Sequence, residues 1–204
     1  MEPMQLACAT PLFSGSEKAV YQHPHNPAWL VKVMRDSKPT SWQARWLRLP
    51  RYWPFLSEWR EFVVVRERRA EGCGFLQRFI GPVDTDLGLG MVVEAVRAAD
   101  GDFAPTLGRM YRTGQLKPAH IDALQKVIDW MLECNLVVSD ISTNNFVWDD
   151  AHGRWVLIDG IGSREPLSLR YWWSAYNRRM TRKKTHKLLG KVANLAPATE
   201  ATKA

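Results

Sequence analysis

The stretch that most restricts the fold is residues 136–162, LVVSDISTNNFVWDDAHGRWVLIDGIG. Its apolar runs, 136–138, 146–148 and 155–158, are three or four residues long, which is strand length rather than helix length. Asp149, Asp150 and Gly153 lie between the last two runs and predict a turn, hence a hairpin. Asn145 stands immediately before the first hairpin strand and Asp159 immediately after the second. An antiparallel return brings the two ends of a hairpin together, so this amide and this carboxylate become neighbours.

The flanking patterns set the architecture. Pro118 suits a first helical turn, and Ile121, Leu124, Ile128 and Met131 recur at helical spacing. Asn135 is a left-handed stop for that helix. The first third is strand-like instead. Residues 10–13, 19–22 and 29–34 are strand candidates separated by Ser14-Gly15-Ser16 and by the breaker cluster 23–27. Residues 55–69 read as a helix with Phe55, Trp59, Phe62, Val63 and Arg66 near one face. Segments 75–82 and 91–96 are further strands around the turn 84–88, while 37–54 has no clear pattern. The expected class is α+β: a small antiparallel sheet with one helix over residues 1–96, then a reduced, mostly helical unit over 97–192. Residues 193–204, rich in Ala, Thr and Pro, read as a tail.

Composition narrows the function classes. Hydrophobic residues make up 46% and charged residues 24%, which is the balance of a globular chain with a sizeable core. No apolar run reaches membrane-spanning length, and the N-terminus lacks the basic and apolar regions of a signal peptide. Cys8, Cys73 and Cys134 are too few and scattered for a disulfide frame or a zinc site, and no histidine shows metal-ligand spacing. A cytoplasmic location is expected. Nine basic residues against one acidic lie between Arg164 and Lys191, so the +7 net charge belongs to that segment. Such a segment suits an anionic substrate or a membrane surface, with a solvated helix face as the plain alternative. Trp172 and Trp173 are read as core-closing aromatics, with an interfacial anchor as the alternative. Nothing resembles a nucleic-acid-binding module.

Phosphoryl transfer from ATP needs a carboxylate for the attacking hydroxyl, hard oxygen ligands for Mg²⁺ and a cation on the phosphates. The residue types are present in order. Asp140 precedes Asn145 by five residues, and Asp159 follows fourteen later at the end of an apolar strand. These are the spacings of a kinase catalytic loop and of the metal-binding aspartate that follows it. Lys32 lies within an apolar strand, LVKV, as the phosphate-contacting lysine of kinases does. Glu61 is the expected partner of Lys32, with Glu58 one turn earlier as the alternative.

The chain resembles the protein-kinase-like superfamily and, more narrowly, the YrbL family of bacterial proteins. The narrower resemblance rests on PLFSGSEKAVYQHP, LVKV, WREF, DTDLGLGMVVEAV, SDISTNNFVW and LIDGIG, over roughly residues 10–180. It implies a compact two-lobed fold with a nucleotide cleft, and a hinge at 94–96 where Glu94 and Val96 offer backbone groups to adenine. It further implies Asp140 as the catalytic carboxylate, Asn145 and Asp159 as Mg²⁺ ligands, and Gly15, Lys32 and Glu61 around ATP. Departures from the kinase pattern are plain. Gly15 is the single glycine of its loop, and Val138-Ser139 replace His-Arg. Ser142 stands where a lysine is usual, and Gly160 replaces Phe. Forty-five residues follow Asp159, too few for a full protein-docking lobe. The implied activity is an ATP- and Mg²⁺-dependent phosphotransferase acting on a small-molecule, sugar or lipid-linked hydroxyl. A regulatory pseudokinase is the alternative.

Overall fold

Alternating apolar positions in the first third build a five-stranded antiparallel sheet. In the computed structural model, which describes residues 2–35, 46, 51–68 and 73–193, the strands are β1 (Phe13–Ser14), β2 (Lys18–Gln22), β3 (Trp29–Met34), β4 (Phe79–Thr85) and β5 (Gly88–Glu94). They lie in the order β1-β2-β3-β5-β4. Helix α1 (Trp53–Arg68) connects β3 to β4. One face of the sheet buries Ala19, Tyr21, Val31, Val33 and Val92 under Leu6 of the N-terminal segment. Asp86 holds that segment, its carboxylate accepting from the N–H groups of Leu6 and Ala7 at 2.8 and 3.0 Å. The other face buries Leu30, Met34, Met91 and Val93 against Phe55 of α1.

The second lobe contains α2 (Leu107–Arg112), α3 (Pro118–Glu133), the hairpin β6 (Phe146–Asp149) and β7 (Arg154–Leu157), and α4 (Ser174–Ala193). The hairpin pairs Phe146 with Leu157 and Asp149 with Arg154, as the turn residues predict. The apolar stripe of α3 buries Leu124, Ile128 and Met131 against Phe146, Trp155 and Leu157 of the hairpin. Asn135 ends that helix at φ 50°, the left-handed stop expected of it. The α+β class and the division into a small sheet lobe and a helical lobe are thus present. No described helix is long and apolar enough to cross a membrane.

Strand bounds shift: the first strand is Phe13–Ser14 rather than 10–13, and β5 is Gly88–Glu94 rather than 91–96, so the turn narrows to Asp86-Leu87. Two further expectations need correction. Residues 75–78 leave the sheet: Cys73–Phe75 is a 3-10 turn and β4 starts at Phe79. The reason is a better partner. Phe75 packs on Trp130, and Leu76 and Gln77 bridge to Leu157 of the second lobe, the Gln77 N–H donating to its carbonyl at 3.0 Å. Helix α1 is also turned away from its apparent apolar face. Trp59 and Val63 are exposed, whereas Glu58 and Glu61 are 8% and 3% exposed. Apolar periodicity failed because these buried carboxylates find specific donors, which outweighs the desolvation that normally keeps glutamate outside. The segment 37–54, left without a pattern, falls largely outside the described residues, as does the tail apart from Ala193.

Candidate functional site

The cleft between the lobes is about 860 Å³ and is lined from both sides. Its upper wall comes from β2 and β3. These strands pair Val20 with Lys32 and Lys18 with Met34, so both lysines project from the same face. Lys32 Nζ donates to Glu58 Oε1 at 3.3 Å and to the Ile158 carbonyl at 2.7 Å. Lys18 Nζ donates to Glu58 Oε2 and to Asp159 Oδ1, both at 2.8 Å. One glutamate thus ties two lysines together, and Lys18 ties them to the carboxylate of the second lobe. Burial alone would lower the Lys18 ammonium, but the carboxylates of Glu58 and Asp159 hold it above the ordinary lysine range. Burial alone would raise the Asp159 carboxyl, but the charges of Lys18 and Lys32 hold it well below the usual carboxylate range.

The partner of Lys32 is therefore Glu58, not Glu61. The two glutamates lie three residues apart on α1, on one side of the helix but almost a turn apart along it, so each reaches a different neighbour. Glu61 Oε2 accepts from the Val137 N–H at 2.9 Å. Its pKa is raised by burial, an effect offset in part by that N–H and by Arg60, Arg68 and Arg170. Glu61 braces the strand-like segment before Asp140 instead of lining the cleft.

The lower wall is the 139–145 loop and the residues after β7. Asn145 and Asp159 are neighbours across the hairpin mouth, where Ile158 N–H donates to the Asn145 carbonyl at 2.9 Å. Asn145 Nδ2 donates to the Asp140 carbonyl at 3.0 Å, which orients its amide. Both hydrogen bonds of the Asp159 carboxylate fall on Oδ1, from Lys18 and from the Gly160 N–H. Gly160 is required here. It has φ +80°, and a Cβ on it would stand 2.3 Å from the Asp140 carbonyl oxygen. Gly162, at φ +83°, would meet Ser57 of α1 at 2.6 Å. These two glycines allow the segment after β7 to press against both the Asp140 loop and the other lobe. Asp140 itself is exposed and lines the cleft.

The remaining predicted residues are more dispersed. Gly15 lines the cleft at the β1–β2 turn, but a Cβ on it would meet only the Lys18 carbonyl oxygen at 3.6 Å. Sterics do not demand a glycine there. Val96 lines the cleft, and its carbonyl accepts from the Ala104 N–H at 3.0 Å. Glu94 does not line it; its carbonyl accepts from the Gln77 amide at 2.8 Å.

The chain matches the family model described as "PhoP regulatory network protein YrbL" over residues 4–193. It belongs to that YrbL family. No curated protein matches it.

In this YrbL-family chain the sequence reading missed two residues beside the cleft. Lys18 faces with Lys32 because the register pairs Val20 with Lys32, and Lys18 lies two residues from Val20 on the same strand. Lys184 lies on α4, and its ammonium donates to the Ser139 carbonyl, beside Asp140. Its pKa is lowered by burial and by Arg170, against the opposing charge of Asp140. Only tertiary packing brings it there. Arg170, itself buried, fixes α4 by donating to the Val138 carbonyl at 2.7 Å, Asn177 Oδ1 at 2.8 Å and Thr181 Oγ1 at 3.2 Å. Asn177 Nδ2 in turn donates to the carbonyls of Asn135 and Leu136. The backbone leading to Asp140 is thus satisfied by side chains of the C-terminal helix.

Proposed function

We propose that this YrbL-family chain has a protein-kinase-like fold, with residues 1–96 and 97–192 as its lobes. In this reading it is a cytoplasmic, ATP- and Mg²⁺-dependent phosphotransferase acting on a small-molecule, sugar or lipid-linked hydroxyl. The observation that carries this reading is the linkage Lys32–Glu58–Lys18–Asp159 across an 860 Å³ cleft, with Asp140 and Asn145 on the same wall. Two lysines held on one glutamate provide fixed positive charge for phosphates. The hard oxygens of Asp159 and the Asn145 side chain suit Mg²⁺, and both groups are oriented by hydrogen bonds that leave an oxygen over. Bound there, MgATP would supply the transferable phosphoryl group and the charge neutralisation its transfer needs.

Within this reading Asp140 would orient the acceptor hydroxyl and take its proton as the new O–P bond forms and the bond from the γ-phosphorus to the bridging oxygen breaks, ADP leaving. It is exposed to the cleft and free to meet a substrate. The lysine that kinases carry two places after this aspartate is Ser142 here. Lys184, delivered from α4 to the Ser139 carbonyl just before Asp140, supplies a cation near Asp140 in its stead. The acceptor in this reading is a small molecule or headgroup that reaches Asp140 through the cleft, while Arg170, Asn177 and Lys184 of the C-terminal segment brace the 135–139 backbone.

Substitution Asp140→Asn tests the proton role. It is expected to lower turnover of MgATP at least about 100-fold while preserving the rise in melting temperature that MgATP causes. Undiminished turnover would remove Asp140 from the mechanism. One observation favours a second reading, a regulatory nucleotide-binding protein without turnover: Lys18 already occupies Asp159 Oδ1, in competition with a metal. A thermal shift with ATP that does not depend on Mg²⁺, and no turnover, would select that reading.

A further inference from the structure

We infer that the turn 167–173 and the outer face of α4 form a docking surface for an anionic lipid bilayer. Among the described residues, four of the ten exposed large apolar side chains fall within these seven positions. Leu167, Leu169, Trp172 and Trp173 are 56%, 61%, 76% and 60% exposed. The expectation that the tryptophans close the core is therefore overturned, and something other than folding must account for them. Their exposure is built rather than loose. The intervening Arg170 is buried and Tyr171 half-buried. Arg170 is bonded to Val138, Asn177 and Thr181. The Tyr171 hydroxyl accepts from the Ser163 N–H at 2.8 Å, and its ring lies under Arg60 at 4.2 Å. Ser168 Oγ accepts from the Arg170 N–H and caps the turn. Pinned on two side chains, the segment is forced to present the others to solvent.

Helix α4 continues directly from Trp173. Its inner stripe is Asn177, Thr181, Thr185, Leu188 and Val192, all buried. Its outer face carries Arg178, Arg179, Arg182, Lys183 and Lys187, all exposed. No acidic residue occurs between Leu167 and Ala193, so the helix offers these cations no partner of its own. Salt bridges among the described residues leave all five unpaired. Tryptophan and leucine beside a face of lysine and arginine is the composition of an interfacial anchor. The apolar side chains enter the headgroup boundary while the cations meet anionic headgroups. The two leucines decide against RNA, which would use cations and stacking aromatics but gain nothing from exposed aliphatic side chains.

Flotation of the full chain with vesicles tests this surface independently of any phosphotransfer. Binding to phosphatidylcholine vesicles containing about one-third phosphatidylglycerol is expected to exceed binding to phosphatidylcholine alone by at least about ten-fold. The double substitution Trp172→Ser and Trp173→Ser is expected to weaken anionic-vesicle binding by about ten-fold with an unchanged melting temperature, since both side chains are exposed. The pair Arg178→Glu and Arg182→Glu is expected to abolish the preference for anionic vesicles. Absence of vesicle binding overturns the inference. So does binding that the tryptophan substitutions leave intact, which marks mere cationic adhesion. Tighter binding to a mixed-sequence single-stranded RNA than to vesicles, or a dimer in sedimentation velocity that the tryptophan variant lacks, also overturns it.

Discussion

The two walls of the cleft handle charge in opposite ways. On the sheet side Lys18, Lys32 and Glu58 pair at 2.8 to 3.3 Å, all three nearly inaccessible, and Lys18 reaches across to Asp159 of the other wall at 2.8 Å. On the helical side Asp140 faces outward, Lys184 is partly buried against a carbonyl, and Arg109, Arg112 and Arg164 line the opening. The first wall is closed: removing Glu58, the shared partner, leaves two buried lysines short of a carboxylate. The second is open: Arg164 makes only a long, exposed contact with Glu17 at 3.9 Å, and Asp140 faces the cleft. Burial makes an ion network rigid and costly to break, whereas exposure makes charges individually cheap and available to a ligand.

The largest expected effect tests the closed wall. Glu58→Ala leaves two buried lysines short of their shared carboxylate and is expected to cost about 3–5 kcal/mol in urea unfolding. A loss under about 1 kcal/mol would mean that the network does not hold the lobes together. Lys184→Ala probes the open wall. Under the proposed function it is expected to lower turnover of MgATP by about ten- to 100-fold, with little change in stability and partial recovery in Lys184→Arg. Unchanged turnover would leave Lys184 a brace for α4 alone.

The smallest effect separates Glu61 from Glu58. Burial raises the Glu61 pKa above 4.5 in the folded state. The folded chain then holds a proton that the unfolded chain has released. This contribution to stability is full below pH 4.5 and is lost as pH rises through the folded pKa. Glu61→Gln keeps an oxygen for the Val137 N–H but has no such titration. Its stability relative to the parent is therefore expected to increase as pH rises above 4.5. Parallel stability profiles for the two proteins would contradict the buried, raised carboxyl.

Much of this chain was readable in advance because its signals are local. Strand β3 runs from Trp29 to Met34 as its apolar run indicates, and the β6–β7 hairpin sits where Asp149, Asp150 and Gly153 turn the chain. The juxtaposition of Asn145 and Asp159 follows from that hairpin alone. Helix α3 and its stop at Asn135 are likewise set by spacing and by one left-handed residue.

What the order of residues could not decide are the contacts between elements far apart in the chain. Whether Lys32 meets Glu58 or Glu61 depends on how α1 is rotated above the sheet. That rotation is set by donors elsewhere: Lys18 for Glu58, and the Val137 N–H for Glu61. The arrival of Lys184 at Asp140 depends on Arg170 and Asn177 bonding the 135–138 backbone, a register of polar contacts with no periodic trace in the sequence. The outward turn of Trp172 and Trp173 has the same origin. By composition they belong in a core, but the neighbouring Arg170 and Tyr171 have the buried partners, and a pinned turn cannot bury both sets.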